Sequence, residues 1–422
     1  MRILHVTPDY HPAKGGGEFF IKEVSERLAA RGHQVTVLAM NSRGMRREDG
    51  ARLPRREAIN GVRVHRFNHT YQMHQRFFGL RGAHRTLALA FDTDARAMLS
   101  ATPCSAAAFL ATLRIGADVV SVINWYHGSL AYQTAIARQF GRFALVGIPL
   151  FHTERPWAHS PLLAQALHRC DAVAVMTEHE RNFVHQAAPR AQVHVVGAGV
   201  DPAWTTSPGD ARRVRAQYAL GDSPVIGYVG RMSSTKGVVS LVQAMQLVWR
   251  EAPSARLLLA GTGLPTVRAR DEQLWDTFSS LSSAERERIV VIERLTEEQK
   301  PAVFAAMDIF AMPSVAESFG IAYLEAWLQK RPVIGGRIGA TSCVIDDGVD
   351  GRLVHPDRPG ELASSILTLL ASREDRERLG AAGYKKCQAR FTWSQVTDRL
   401  EEAYKQAYVA RLGTLRQPTA VA

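Results

Sequence analysis

Short apolar runs alternate with stretches of helical periodicity along most of this chain. Arg2–Thr7 reads as a buried strand. Phe19, Phe20, Val24 and Leu28 then fall at helical spacing, and Arg31-Gly32-His33 brings the glycine expected at a helix stop. Val35–Met40 is the second strand, and further strand-like runs are Gly61–Phe67, Val119–Ile123, Phe143–Gly147, Ala172–Met176 and Val193–Val196. After Gly199-Val200-Asp201-Pro202, the polar stretch Thr205–Asp210 reads as an interdomain linker. The pattern then restarts with Val225–Val229, Arg256–Gly261, Ile289–Ile292, Ile309–Met312, Val333–Gly335 and Arg352–Val354. Strands alternating with helices predict parallel, doubly wound sheets. Two similar α/β halves predict two Rossmann-like domains facing a central cleft, where such folds hold their ligands. The expected division is 1–203, 204–390, a C-terminal helix over 391–412 that packs back on the first domain, and a frayed tail over 413–422.

Length and composition agree with that division. A chain of 422 residues exceeds one ordinary core, and 46% hydrophobic with 22% charged residues are globular values. No apolar run is long enough to span a membrane, and Met1–Val6 is too short for a signal peptide. Cys104, Cys170, Cys343 and Cys387 lie too far apart for a metal-ligand spacing or a disulfide framework, which points to a reducing, cytoplasmic setting. The net charge of +12 is uneven. Residues 1–200 carry 24 Lys+Arg against 14 Asp+Glu, a net of +10, while residues 201–422 carry 28 against 26. A basic first half favours an anionic partner such as a lipid headgroup or a phosphorylated acceptor, or it is simply an arginine-rich solvated surface. No nucleic-acid-binding motif is present.

The stretch Asp308–Gly335 concentrates the chemistry. A short strand turns through Pro313-Ser314-Val315-Ala316 into Glu317-Ser318-Phe319-Gly320, and a helix bearing Glu325 follows. A strand–turn–helix with glycine at the turn presents backbone N–H groups and a positive dipole end, which suits a phosphate. Glu317 and Glu325 are about two helical turns apart, so both carboxylates can face one side. Upstream, Gly230-Arg231 ends a strand and Ser234-Thr235-Lys236-Gly237 opens a helix. An Arg and a Lys at one such turn can grip a diphosphate without a divalent ion, although a charged, solvated turn looks the same in sequence. Gly15-Gly16-Gly17 after the first strand reads as a Rossmann-type loop but lacks the dinucleotide fingerprint and its acidic partner. Residues 68–116 fit the alternation poorly. Their His69, His74, Arg76, His84 and Arg85, interleaved with Phe77, Phe78, Leu80 and Leu87, read either as a membrane-interfacial helix or as an ordinary covering helix. Asp92-Thr93-Asp94 matches a metal-binding triplet by letter only.

Taken together, Gly230-Arg231 with Lys236-Gly237, Gly261-Thr262-Gly263, Pro313-Ser314, Glu317-Ser318-Phe319-Gly320, Glu325-Ala326 and Pro332-Val333-Ile334 stand in the order and spacing of one group. They resemble the family 4 retaining glycosyltransferases of the two-Rossmann (GT-B) type, with their E-x7-E signature. The opening, from the Gly15–Gly17 loop to Leu28-Ala29-Ala30-Arg31-Gly32-His33, is similar too, so the resemblance covers nearly the whole chain. It implies that Arg231 and Lys236 hold the donor diphosphate with the Phe319 and Gly320 N–H groups. Ser318 belongs to the same donor-binding turn. Glu317 would meet the transferred sugar, Glu325 the ribose, and Arg294 and Leu295 the base. In the first domain, His152 would reach the transferred sugar and Gly16 and Gly17 the phosphate or acceptor. Three positions depart from the family pattern: Cys343 stands where a Glu is usual, Ala198-Gly199 replaces Asn-Gly, and Glu293 replaces a Gly.

The resemblance also implies a mechanism. The acceptor hydroxyl attacks on the face the diphosphate leaves, with the β-phosphate accepting its proton, so the protein supplies positioning and charge. The expected enzyme uses no cofactor and no metal ion. Its partners are a UDP-, GDP- or ADP-linked sugar and an envelope glycan, polysaccharide or glycolipid acceptor. It would work in the cytoplasm or on the inner face of the cytoplasmic membrane. The competing readings are a catalytically degenerate sugar-nucleotide binder, or a basic nucleic-acid- or lipid-binding protein. A dead enzyme should have lost Lys236, Glu317 or Glu325, and all three are present. A dehydrogenase lacks its glycine fingerprint here, and a pyridoxal-phosphate phosphorylase lacks a convincing lysine.

Overall fold

The computed structural model describes the chain except residues 14, 41–52, 68–104, 126–127, 264–270, 294 and 414–422. The Asp92–Asp94 triplet, Cys104, Arg294 and most of the 68–116 stretch therefore lie outside the described residues. The chain divides into two compact units. One comprises Met1–Gly197 and the C-terminal helix from Trp393, and the other comprises Ala198–Thr392.

The first unit is built on β1 (Arg2–Thr7), β2 (Gln34–Ala39), β3 (Arg56–Ile59), β4 (Val62–Arg66), β5 (Val119–Ile123), β6 (Ala144–Ile148), β7 (Ala172–Val175) and β8 (Val193–Val195). They form one sheet in the order β3-β4-β2-β1-β5-β6-β7-β8. All pairs are parallel except β3–β4. Helices α1 (Gly16–Ala30), α2 (Ala106–Arg114), α3 (Gly128–Phe140), α4 (Pro161–His168) and α5 (Glu178–Ala187) accompany the strands. Strands β5 to β7 are buried along their whole length, as expected of parallel strands covered on both faces. In the edge hairpin, β4 lies within the expected run Gly61–Phe67, whereas β3 escapes periodicity because it alternates only between exposed and half-buried positions. Its signal is the turn: Asn60 and Gly61 both have positive φ (47° and 83°), the two-residue Asn-Gly connection that matches strand twist.

The second unit holds α6 (Pro208–Gln217), β9 (Val225–Arg231), α7 (Val238–Glu251), β10 (Arg256–Thr262), α8 (Glu272–Ser279), α9 (Ser283–Arg286), β11 (Ile289–Ile292), α10 (Lys300–Ala306), β12 (Ile309–Met312), α11 (Ile321–Leu328), β13 (Val333–Gly336), β14 (Gly351–Val354), α12 (Pro359–Ala371) and α13 (Arg373–Arg390). Its sheet runs β11-β10-β9-β12-β13-β14, all parallel, which is the Rossmann strand order 3-2-1-4-5-6. The strand order reverses beside β9, so ligand-binding turns are expected at the carboxyl ends of β9 and β12. The polar stretch expected as a linker is partly helical. Ser207 and Asp210 form a capping box that starts α6, which satisfies two orphan donors and makes the segment ordered structure.

Helix α14 (Trp393–Leu412) returns to the first unit. Trp393, Val396, Leu400, Ala403, Tyr404 and Ala407 form its buried stripe. Trp393 packs edge-on to Phe19 and tilted against Phe20 of α1, with centroids 5.7 and 6.0 Å away. Below it, the imidazole of His5 on β1 lies 2.8 Å from Ser25 Oγ and 3.0 Å from Tyr404 Oη. Burial lowers the His5 pKa to about 3, so the ring stays neutral and serves as a two-sided hydrogen-bonding pin.

Candidate functional site

The second unit assembles the candidate site from two turns far apart in sequence. β9 ends at Gly230-Arg231, and Tyr228 Oη donates to the Arg231 carbonyl at 2.6 Å. A single 3-10 turn, Ser234–Lys236, follows and is capped by Ser233. The Ser234 N–H donates to Asp271 Oδ2 at 2.7 Å, while Asp271 Oδ1 caps α8. Gly237 then adopts φ 78°, and a Cβ there would overlap the Pro313 carbonyl, so only glycine lets this turn pass so close to the end of β12. Val315 N–H donates to the Thr235 carbonyl at 3.0 Å and zips the turns together.

This approach delivers the side chains. Lys236 Nζ donates to Glu317 Oε1 at 2.6 Å and lies 3.5 Å from the Ala316 carbonyl. Ser314 Oγ donates to the same Glu317 oxygen at 3.0 Å. The pair is enclosed, with side chains 15% and 8% exposed, so it is far less screened than a surface pair. Lys236 has three N–H donors and spends one on Glu317, leaving capacity for a phosphate oxygen. Arg231 is exposed at the strand end. Beyond Glu317, Gly320 caps α11, and Tyr323 Oη donates to the Met312 carbonyl at 2.7 Å, bracing the turn. Among the described residues, the N–H groups of Ser318, Phe319 and Gly320 donate to no backbone carbonyl, as expected ahead of a helix start. The Phe319 ring is buried edge-on against Phe391, 5.6 Å away, so its side chain is a packing anchor.

Glu325 is buried on α11 and receives Lys300 Nζ at 3.4 Å. Lys300 also reaches Glu297 at 2.9 Å. Burial pushes the Glu325 carboxyl above its ordinary range, against the pull of the Lys300 charge. For Lys300, burial opposes the charge, but Glu325 and Glu297 outweigh it and raise the pKa. Ser314 stands in the Pro313-Ser314 motif, although its bond to Glu317 was not foreseen, and Lys300 and Asp271 were missed: a lysine opening a helix 25 residues before its carboxylate gives no local signal. Leu295 is buried just ahead of α10. Thus Lys236 and Glu317 are in direct contact, and Glu325 has its own cation. The two carboxylates are separately paired.

In the first unit, the glycine triplet differs from the expected loop. The helix already begins at Gly16, so Gly16 and Gly17 are its first two residues, with Gly15 extended as the cap. A Cβ on Gly17 would stand 3.1 Å from Leu150 Cδ1 and 3.3 Å from Asn124 Nδ2, whereas one on Gly16 would meet nothing. The α1 start therefore packs against the segments following β5 and β6. His152 is half-buried in the segment after β6. Phe151 N–H, next to it, donates to Glu180 Oε1 at 2.7 Å, and Met176 N–H donates to Glu180 Oε2 at 2.7 Å. Burial pushes the Glu180 carboxyl up to about 7, against both hydrogen bonds. Because this folded pKa lies above the unfolded value, Glu180's contribution to stability is greatest in acid. It should fall as pH rises from about 4.5 to 7, by up to about 1.4 kcal/mol per unit. Chemical denaturation across that range should show the slope in the wild type and its loss in Glu180→Gln; parallel curves would place the carboxyl's pKa elsewhere.

Among the described residues, no three metal-ligating side chains converge and no helix is long and apolar enough to cross a membrane. Cys170, Cys343 and Cys387 are free thiols.

Two α/β units, one built on a mostly parallel sheet and one on a wholly parallel one, with a turn that gathers Lys236, Ser314 and Glu317, are those of a GT-B glycosyltransferase. Residues 14–204 match the family described as Glycosyltransferase Family 4, and residues 223–372 match Glycosyl transferases group 1. The D-inositol 3-phosphate glycosyltransferase of Mycolicibacterium vanbaalenii is 32% identical over 69% of this chain and 67% of its own. The GDP-mannose-dependent alpha-(1-6)-phosphatidylinositol monomannoside mannosyltransferase of Mycolicibacterium smegmatis is 28% identical over 95% and 97%. Among solved structures, Anabaena HepE in complex with UDP and glucose superposes with a TM-score of 0.72 at 19% identity, covering 95% of this chain and 98% of that one. The chain belongs to glycosyltransferase family 4.

Proposed function

We propose that this enzyme transfers a hexosyl residue with retention and without a metal ion, from a nucleotide-diphosphate sugar to a hydroxyl of a lipid-linked or envelope glycan. The observation that carries this reading is the enclosed Lys236–Glu317–Ser314 cluster, with Arg231 at the strand end that opens the same turn. Two cations at one strand-to-helix turn supply the charge that a leaving diphosphate needs. Glu317, held by Lys236 and Ser314, is a hydrogen-bond acceptor fixed in place, suited to sugar hydroxyls. Its Oε1 is already engaged by Lys236 and Ser314, and in this reading the acceptor's proton passes to the leaving phosphate. In this reading Glu325 binds the ribose, the Ser318–Gly320 N–H groups assist the diphosphate, and Arg294 and Leu295 lie at the base. His152, with Gly16 and Gly17, serves the transferred sugar and the acceptor in the first unit. The lipid-linked acceptor rests on the basic first half of the chain and on the mannosyltransferase relative, whose name specifies a phosphatidylinositol glycan.

A panel of UDP-, GDP- and ADP-sugars tests the donor. One nucleotide class should raise the melting temperature and be turned over, and chelation with EDTA should leave the rate unchanged. NMR of the product should show the donor's anomeric configuration. No response to any donor would sink the reading, loss of rate on chelation would remove the metal-free mechanism, and an inverted product would remove retention.

A further inference from the structure

We propose that Glu180 is a positioning residue for catalysis, clamping the segment that carries His152 onto the end of β7 and the first turn of α5. The inference rests on His152 serving the transferred sugar, as argued above.

His152 follows β6 in a segment whose neighbours are held one by one. Leu150 takes a left-handed conformation with φ 54°, turning the chain sharply just before it. Phe151 N–H donates to Glu180 Oε1, and the Phe151 ring is buried against Phe183, Trp157 and Trp125 at 5.3, 6.0 and 6.1 Å. On the other side of His152, Thr153 Oγ1 and His179 Nε2 share a hydrogen bond of 2.8 Å. Consecutive residues of α5, His179 and Glu180, thus hold the residues on either side of His152. The Arg155 N–H closes the turn onto the His152 carbonyl at 2.9 Å.

The Glu180 carboxylate is doing something its place on the helix does not require. Thr177 caps α5 and its hydroxyl accepts the Glu180 N–H at 3.2 Å. A glutamate three residues after such a cap ordinarily returns its carboxylate to the cap's own N–H. Here the carboxylate instead bridges Met176 N–H and Phe151 N–H, joining the ends of β7 and β6. Glu180 is 2% exposed, and among the described residues no cation stands beside it. An apolar side chain would fill that space at lower desolvation cost, so packing alone does not explain a carboxylate. What the carboxylate adds is a fixed distance between two backbone amides, one of which precedes His152.

The test is a double-mutant cycle in the full-length enzyme, with the donor identified by the screen above. Glu180→Gln replaces one acceptor with an N–H₂ group and releases one of the two amides. It should remain folded by circular dichroism and bind the free nucleotide with unchanged affinity, because the nucleotide contacts lie in the second unit. Its kcat should fall between about tenfold and a hundredfold, with the donor KM changed little. In a His152→Ala background the same substitution should cost nothing further. Thr153→Val, which removes only the His179 bond, should lower kcat in the same non-additive way and carries the cycle if Glu180→Gln does not fold. Wild-type kcat in both variants, or an equal loss with and without His152, would overturn the proposal. Wild-type turnover in His152→Ala alone would instead remove the reading on which it rests.

Discussion

Lys236→Ala is expected to reduce sugar transfer by about a hundredfold or more and to weaken nucleotide binding. The magnitude follows from the proposed role of Lys236, a fixed cation that would meet developing phosphate charge in an enclosed site. The substitution also strands Glu317. Its carboxylate keeps Ser314 Oγ at 3.0 Å but loses the ammonium at 2.6 Å, while remaining only 8% exposed. An enclosed acceptor that loses its charged partner costs about 1–3 kcal/mol, so a lower melting temperature should accompany the loss of activity. Two effects in one variant invite confusion, and a second substitution separates them. Lys236→Ala/Glu317→Gln no longer buries an unpaired charge and should recover most of the lost stability without recovering turnover. Steady-state kinetics and calorimetric binding of the nucleoside diphosphate check both points. Wild-type turnover in Lys236→Ala would remove the diphosphate assignment. Recovery of activity in the double variant would mean that Lys236 serves only to neutralise Glu317.

The second unit was legible almost strand for strand because its sheet is parallel and covered. Buried parallel strands write themselves as continuous apolar runs, and Ile309–Met312 was legible to the residue; so was Ile289–Ile292, an apolar edge strand that is mostly half-buried. The β3–β4 hairpin shows the limit. β3 has no buried face to impose periodicity, and only the Asn60-Gly61 turn announces it. The site divides the same way. Glu317 and Glu325 were legible from spacing within one strand–turn–helix unit. Their partners were legible only where a second motif existed: Lys236 stood in one, and Lys300 did not. Lys300 meets Glu325 because α10 and α11 pack together, and Glu180 meets Phe151 because β6 and β7 end side by side. Such contacts are products of tertiary packing, and a single sequence carries no pattern for them. The Gly15–Gly17 triplet errs in the opposite direction. Glycines suggest a loop by propensity, yet α1 begins at Gly16, with Gly17 tight against Leu150 and Asn124.

Gly261→Ala is expected to be the most disruptive single-methyl change at the donor site. Gly261 pairs with Gly230 where β10 runs beside β9, one residue before Arg231, and its φ is 143°. A Cβ at Gly261 would overlap the Gly230 carbonyl, a backbone atom that cannot rotate aside. The strand ends must therefore separate, and the Met232 N–H bond to the Thr262 carbonyl at 2.7 Å lies directly beyond. Overpacking costs about 1–3 kcal/mol, and an unfavourable φ adds about 1–3 more. At about 2–4 °C per kcal/mol, the melting temperature should fall by roughly 4 °C or more. The displaced strand end also carries Arg231 away from its place, so nucleotide affinity should fall together with stability. Gly360→Ala is the matched control. It adds the same methyl to the first turn of α12, where a Cβ meets nothing within 4 Å, and helix propensity predicts a gain of up to about 1 kcal/mol. The two variants should move in opposite directions in thermal denaturation, with only Gly261→Ala losing nucleotide in calorimetry. If Gly261→Ala bound nucleotide as tightly as Gly360→Ala, the close approach of β9 and β10 would not be what fixes Arg231, and the diphosphate grip would rest on Lys236 alone.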